Sequence, residues 1–393
     1  MSEVGNRREM ATIERPDSVA DLARFVAETS RSGRPFLIRG GGTHARFSND
    51  GADVDAVVET TSLNQVIDYS PVDLTLAVEP GVRIAEIDGL LTERSQRLAL
   101  DMPHRSQATI GGTFAAGLSG PRRLRYGALK DMVIGADVVT SSGEIAKSGG
   151  MVVKNVSGYE IARLHYGAHG AFGPVSRLNL KVLPIAESRV EVRCAFESAS
   201  DSVMAATSVL VSSLDPAAVY VTNSRPGTWT LHVQIEGNKR FTDLQRETVV
   251  EHVARVIRPS GVEMGDLEGN STPAFDRVLD LVDADDVIVA RLSVPASKQA
   301  DLLSRLTNES NREILADTGS GLVYVRTDAT SDGFVQLADI GQPVVYLALP
   351  DAFRPGVDVF GTMDSNAARI VQRLKDEYDP DRIFNPGRFS SFL

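Results

Sequence analysis

The chain has 393 residues, 42% of them apolar and 24% charged, the make-up of a globular protein with room for two or three domains. Its net charge of −11 argues against nonspecific nucleic-acid binding as the main role. The single cysteine, Cys194, excludes an internal disulfide framework and a cluster ligated by this chain's cysteines, and is read as a small core residue. The opening MSEVGNRREM has no apolar signal region, and no apolar run reaches membrane-spanning length. The expectation is a cytoplasmic chain that meets the inner membrane only through partners.

In chain order, the first element is a helix over 16–32. Ser18 and Asp21 have capping-box spacing, Val19, Leu22 and Val26 share a face, and Gly33 ends it. Strands follow at 36–39, 56–59 and 74–78. A helix with Ile84, Ile87 and Leu91 on one face then runs to about Arg97. Residues 102–173 are dense in glycine and contain a β run at 133–140 before the turn SSGE. An alternating strand at 176–183 stops at Pro184 and closes a first domain over 1–185. Beyond it, the strand-like RVEVRCAF, TWTLHVQIEG, DVIVARLSV and GLVYVRT mix with the helix-like DSVMAATSVLVSSL and FTDLQRETVVEHVARVI and a helix near 300–315. That mixture predicts an α+β domain over 186–364. A helix over 365–378 leads into a proline-rich tail, the two making up 365–393.

The stretch GGGTHA follows FLIR directly. Gly40, Gly42, Ala45 and the later Glu59 have the spacing of a dinucleotide-binding fingerprint. Such a site needs a helix immediately after the glycines, and THARFSNDGADVD has turn chemistry and no 3.6-residue period. The space before Val57 also reads as too short for a parallel crossover with its helix. The glycines therefore make either a tight strand-to-strand turn or a cluster of N–H groups aimed at one anion. In ATIGGTFAAGLSG, Thr109 caps a short helix starting near Gly111. The small residues from Gly111 to Gly117 admit either a ligand at the helix start or close backbone packing.

These segments, with PRRLRYGALKDMVIGADVVTSSGE, VVKNVSGYEIARLHYGAHGAFGPVSRLNLKVLP and the tail YDPDRIFNPGRF, resemble the FAD-binding domain of the p-cresol methylhydroxylase and vanillyl-alcohol oxidase superfamily, in the same order. RGGGT, LSGPRR and VVKNVSGYEIARL are most similar to the FAD-binding subunits of glycolate oxidase. The resemblance implies an α+β fold: an FAD-binding domain of two α+β subdomains, an α+β cap domain, and a tail returning to the FAD domain. It implies FAD bound by Arg39, Gly40, Gly41, Gly42 and Thr43 around the pyrophosphate. Thr109, Ile110, Gly111, Gly112, Gly117, Ser119 and Gly120 would line the pyrophosphate and flavin. Gly173 and Val175 would sit near the adenine, with Asn385 and Pro386 bringing the tail to the pocket. Superfamily members that hold FAD covalently use a histidine in the first glycine loop. Thr43 stands at that position and His44 one later, which implies non-covalent FAD.

The catalytic D-2-hydroxy-acid dehydrogenases of the superfamily carry H-x-x-G-D-G-N-x-H in the cap. Here GDLEGN at 265–270 has no adjoining histidine, and His232 and His252 lie too far apart to form it. With no evident base for the hydroxyl proton, the resemblance implies an FAD subunit of a glycolate or D-2-hydroxy-acid oxidase working with a catalytic flavoprotein and an iron–sulfur subunit. A self-sufficient FAD oxidoreductase of another small alcohol or acid, and a non-catalytic scaffold, are the alternatives. Arg122, Arg123 and Arg125 form either a solvated loop or a cationic wall for a carboxylate or a reduced flavin, and Lys154 is a further cation of that kind. His165 and His169 have zinc-pair spacing, but Gly167 and the lack of a third ligand argue against a metal. Asp283, Asp285 and Asp286 lack calcium-loop spacing and read as surface charges.

Overall fold

A computed structural model describes residues 11–390 apart from 53, 152–160, 226, 271, 281–283, 307–311 and 339. The first helix is Val19–Ser32. Ser18 caps it by accepting from the Asp21 N–H at 3.1 Å, and Gly33 ends it at φ 62°. Leu22 and Val26 are fully buried in a small core with Phe36, Val58 and Phe384.

Strands β1 (Thr12–Glu14), β2 (Phe36–Arg39) and β3 (Ala56–Glu59) form a sheet in the order β1-β3-β2. The β2 and β3 strands are parallel, with Phe36 opposite Ala56 and Arg39 opposite Glu59. This corrects the expectation that residues 40–55 are too short for a parallel crossover. The connection crosses with no helix among its described residues, because the tail satisfies its backbone instead. The Asn49 N–H donates to the Arg388 carbonyl at 3.1 Å and the Ala52 N–H to that of Pro386 at 2.9 Å.

Next come β4 (Val66–Ser70), β5 (Thr75–Val78) and β6 (Gln96–Arg97), then β7 (Val133–Val139), β8 (Ile145–Gly149), β9 (Val175–Lys181) and β10 (Leu183–Pro184). Five of these make an antiparallel sheet, β4-β5-β9-β7-β8, while β6 pairs with β10. The helix expected to reach Arg97 is only Ile84–Thr92. The chain turns at Ser95 (φ 52°), and Gln96 and Arg97 form β6.

The remaining strands are β11 (Ser188–Phe196), β12 (Ala218–Arg225), β13 (Thr228–Gly237), β14 (Gly261–Asp266), β15 (Val287–Ser293), β16 (Glu313–Asp317), β17 (Leu322–Asp328) and β18 (Val344–Ala348). They build one eight-stranded sheet, β14-β11-β13-β12-β16-β17-β15-β18. Helices Ala199–Leu210, Lys239–Val256 and Ala296–Leu306 cover its outer face through Val209, Val253 and Leu303. Its inner face puts Tyr220, Val289, Leu315 and Tyr324 into one core with Ile110, Phe114 and Leu129 of the first region. The helix expected near 300–315 ends at Leu306, and β16 follows from Glu313. Strand β16 buries Leu315 on one face and Ile314 and Ala316 on the other, so its apolar run has no period to separate strand from helix.

The last helix, Ser365–Tyr378, starts at the Asp364 cap. Its Lys375 is fully buried. The ammonium donates to the Ala171 carbonyl at 2.6 Å and the Phe384 carbonyl at 2.8 Å, and pairs with Asp379 at 2.7 Å. Asp379 also accepts from the Ile383 and Phe384 N–H groups, which fixes the turn of the tail. The tail then joins β2: the Phe36 N–H donates to the Ile383 carbonyl at 2.9 Å and the Asn385 N–H to that of Phe36 at 3.1 Å.

Candidate cofactor-binding site

The loop after β2, the start of helix Ile110–Ala116, the segment before β9 and Asn385 surround a groove with a cavity of about 210 Å³. Arg39, Gly40, Gly41, Gly42, Thr43, Thr109, Gly111, Gly112, Gly173, Val175 and Asn385 line it, so residues chosen from four separate segments meet at one place. Ile110, Gly117, Ser119, Gly120 and Pro386 are not among the lining residues. Ile110 is core, and a Cβ on Gly120 would run into Asp101 and Phe275, which marks close packing.

Thr109 organises the crossing of the two glycine segments. Its hydroxyl caps the helix by accepting from the Gly112 N–H at 3.2 Å and also faces the Gly41 N–H at 3.4 Å. A Cβ on Gly40 would collide with that hydroxyl, and one on Gly41 with the Gln107 carbonyl oxygen. Gly42 takes φ 77°, the left-handed region that glycine adopts without strain. Among the described residues, the N–H groups of Gly42, Thr43 and His44 have no acceptor, and all three residues line the groove. Consecutive free N–H groups in a turn make an anion-binding concavity. Val57, Pro174 and Val175 add apolar wall.

The charges at the rim are already arranged. Glu59, whose spacing imitated a ribose-binding acid, ion-pairs with Arg39 and with Arg15 at 2.6 Å. Arg39 is the first of the causes that hold its carboxyl below the ordinary value. Sequence reasoning gave no role to His169 or Arg388, which also line the groove. The His44 Nδ1 meets the Thr43 hydroxyl at 3.0 Å, while its buried Nε2 has no partner. Burial, then the neighbouring His104, lowers His44 to about 4. Burial and then Arg388 lower His169 to about 3, so both imidazoles are neutral at pH 7. His169 follows the helix Ile161–His165 and packs its ring on Phe47, with centroids 4.9 Å apart, so the two histidines do not share a helix face. Among the described residues, no three His, Cys, Asp or Glu side chains gather as metal ligands.

A narrow glycine cleft with free N–H groups and apolar ends fits a pyrophosphate flanked by flat rings. Residues 10–149 match the family model described as FAD binding domain. Those residues form an FAD-binding domain. FAD is its cofactor. Over 337 residues the chain is 28% identical to glycolate oxidase subunit GlcE of Escherichia coli (strain K12), covering 84% of this chain and 85% of that one. It is 24% identical over 380 residues to a D-lactate dehydrogenase of Anaerostipes hadrus, covering 84% and 79%. A solved alkyldihydroxyacetonephosphate synthase shares the fold with a TM-score of 0.71, over 95% of this chain and 76% of that one, at 16% identity.

Between the first region and the eight-stranded sheet, neither alternative for the arginine trio, solvated loop or cationic wall, describes Arg122 and Arg125. Arg122 is fully buried. Its Nε lies 2.7 Å from Asp101, it pairs with Glu236 at 3.6 Å, and it donates to the Asn270 carbonyl at 2.9 Å. Arg125 donates to the Glu236 carbonyl at 2.9 Å and pairs with Asp215 at 3.2 Å. These two arginines fasten the domains together. Arg123 alone of the three turns to the segment after helix Ile110–Ala116, donating to the Ser119 hydroxyl at 3.1 Å. Lys154 and Asp283 lie outside the described residues. Asp285 pairs with Arg46. In the cap, the His232 Nε2 meets the Thr222 hydroxyl at 2.9 Å and its ring stacks on Tyr220, while His252 meets the Ser208 carbonyl at 3.1 Å.

Sequence reasoning missed Tyr324, whose phenol donates to the Ser119 carbonyl across the same seam, and Arg291 and Asp317 on the strands beside it. A signal existed. Gly319-Ser320-Gly321-Leu322-Val323-Tyr324 keeps the glycine spacing of the absent G-D-G-N-x-H segment, with Tyr324 in the place of the final histidine.

Proposed function

We propose that this chain is the FAD-carrying subunit of a complex that oxidises glycolate or a related D-2-hydroxy acid to the 2-oxo acid. The observation that carries the reading is the convergence of both glycine segments, the strand-leading Gly173–Val175 and Asn385 on one groove with free backbone N–H groups. Gly40 to Thr43 and the start of helix Ile110–Ala116 hold the pyrophosphate, and Gly173 and Val175 lie along the adenine. Gly117 and Ser119 border the flavin from the seam rather than from the groove. FAD, once bound, supplies the two-electron acceptor. The flavin is held without a covalent bond, with Thr43 at the attachment position. The likeness to glycolate oxidase subunit GlcE along most of both chains supports the subunit role. An iron–sulfur protein and a second flavoprotein are the partners, since Cys194, the only cysteine, is buried in the cap core.

The deciding experiment is co-expression with the candidate partner subunits, followed by anaerobic addition of glycolate or D-lactate. Bleaching of the flavin, and release of free FAD on acid precipitation, are the expected results. A preparation without flavin, or one that no 2-hydroxy acid bleaches, removes the proposal. A second reading, that the chain oxidises substrate unaided, is favoured by the polar seam beside Ser119.

A further inference from the structure

Three adjacent cap strands turn polar side chains toward the FAD domain. Asp317 ends β16, Tyr324 lies on β17, and Arg291 stands opposite Tyr324 on β15. Strand alternation places them together. Val289, Leu315 and Leu322, each two residues away along a strand, pack toward the inner core, whereas Ala290, Ala316 and Val323 belong to the outer one. Two strand spacings, roughly 10 Å, separate the backbones of β16 and β15. Asp317 is level with Ser293, so Arg291 also lies two residues further along its strand.

Tyrosines set the floor of this seam. The Tyr324 phenol donates to the Ser119 carbonyl at 3.1 Å and the Tyr166 phenol to that of Gly117 at 3.0 Å. Among the described residues, the two ionisable side chains beside them have no ion-pair partner, and each keeps a buried polar atom unsatisfied. Among the described residues, Arg291 makes no hydrogen bond or ion pair, and its buried Nε is unsatisfied. Its guanidinium lies 5.8 Å from the centre of the Phe47 ring, and Phe47 packs on His169 of the cofactor groove. Asp317 is fully buried. One carboxyl oxygen accepts from the Ser320 N–H at 3.2 Å and the other has no partner. By contrast, the buried Arg97, Arg122, Arg189 and Arg354 are all in ion pairs. Burial raises Asp317 to about 7, against the opposing pull of Ser320 and Arg123 and with a smaller push from Asp101. Buried charged groups left unpaired are costly, and here the missing partners define a site.

We infer that this seam is the chain's own substrate site, where Arg291 holds the carboxylate of a 2-hydroxy acid and the Asp317 carboxylate takes its hydroxyl proton. The inference rests on the reading of the chain as an FAD-dependent hydroxy-acid oxidoreductase. The O–H bond breaks with its proton going to Asp317. The C2–H bond breaks with its electron pair, as hydride, to the flavin, and C2=O forms. The acid would lose two electrons and two hydrogens, one hydrogen with both electrons for bound FAD as acceptor and one proton for Asp317, which returns it to water.

The test uses the FAD-loaded full chain under anaerobic conditions, with oxalate as a carboxylate that cannot be oxidised in this way. Oxalate binding, read from the flavin spectrum, weakens about tenfold or more in Arg291→Met and recovers in part in Arg291→Lys. Asp317→Asn keeps oxalate affinity but slows flavin bleaching by glycolate or D-lactate about a hundredfold. It also abolishes the rise in bleaching rate through about pH 7. In Asp317→Ala, added formate restores bleaching, which a purely structural role would not allow. Unchanged oxalate affinity in Arg291→Met overturns the anchor. An unchanged pH profile in Asp317→Asn overturns the proton acceptor. If no 2-hydroxy acid bleaches the flavin of the chain alone although oxalate binding depends on Arg291, the role of Asp317 falls and the anion anchor alone stands, while the subunit reading is decided separately by bleaching in the co-expressed complex.

Discussion

At Gly41 a single methyl group is expected to matter because the atom in its way is backbone. The Gln107 carbonyl cannot rotate aside, so Gly41→Ala is expected to cost about 1–3 kcal/mol and to cut FAD occupancy about tenfold or more. Thermal melting and flavin content measure the two effects. Gly89, in the middle of helix Ile84–Thr92, has nothing within 4 Å of its missing Cβ. Gly89→Ala is therefore the control, expected to stabilise by about 0.5–1 kcal/mol without changing flavin content. Asp317 supplies a pH signature of its own. Its folded-state value, about 7, lies above the ordinary carboxyl value, so its contribution to stability is full in acid and lost as pH rises through 7. The Asp317→Asn protein, which cannot ionise there, should gain on wild type by roughly 2–4 kcal/mol between pH 4 and pH 8. Denaturant titrations at several pH values would show this, and parallel curves would contradict it.

Among elements, the ribbon of β6 and β10 and the cap strand β13 carry the charged fastening between domains. Burial alone would raise Glu236, but Arg97, Arg122 and Arg189 more than offset it and hold the carboxyl at about 2. Its stabilisation is therefore present above the ordinary carboxylate range and lost as pH falls toward 2. Glu236→Gln leaves three buried guanidinium groups short of a counter-charge and should destabilise by about 3–5 kcal/mol in urea titrations at neutral pH. Beyond the Lys375–Asp379 pair, the tail is fastened to the groove by a neutral side chain. The Asn385 side chain accepts from the Ile38 N–H at 2.6 Å and donates to the His169 carbonyl. Asn385→Ala strands both backbone groups and should cost about 1–3 kcal/mol, with FAD loss as the second readout. An unchanged melting temperature and flavin content would rule out this closing role.

For the whole molecule, what the sequence revealed depended on how local the determining interaction was. The first helix was legible because Ser18, its apolar face and Gly33 are neighbours in the chain. Thr109 was legible as a cap for the same reason. The parallel pairing of β2 and β3 was not, because its substitute for a helix is the distant tail from Pro386 to Arg388. Arg122 read as a loop cation because Asp101 and Glu236, which bury it, come from other segments. Asp317 and Arg291 were missed because only strand pairing brings them to one face. The tail has a further consequence, in time rather than in space. Phe36 and Gly173 leave the ribosome early, but their partners Ile383, Phe384 and Asn385 follow only after the whole cap is made. At ordinary synthesis rates those delays are roughly ten to seventy seconds. Throughout them the groove lacks one wall, so flavin capture reports that translation has passed Asn385.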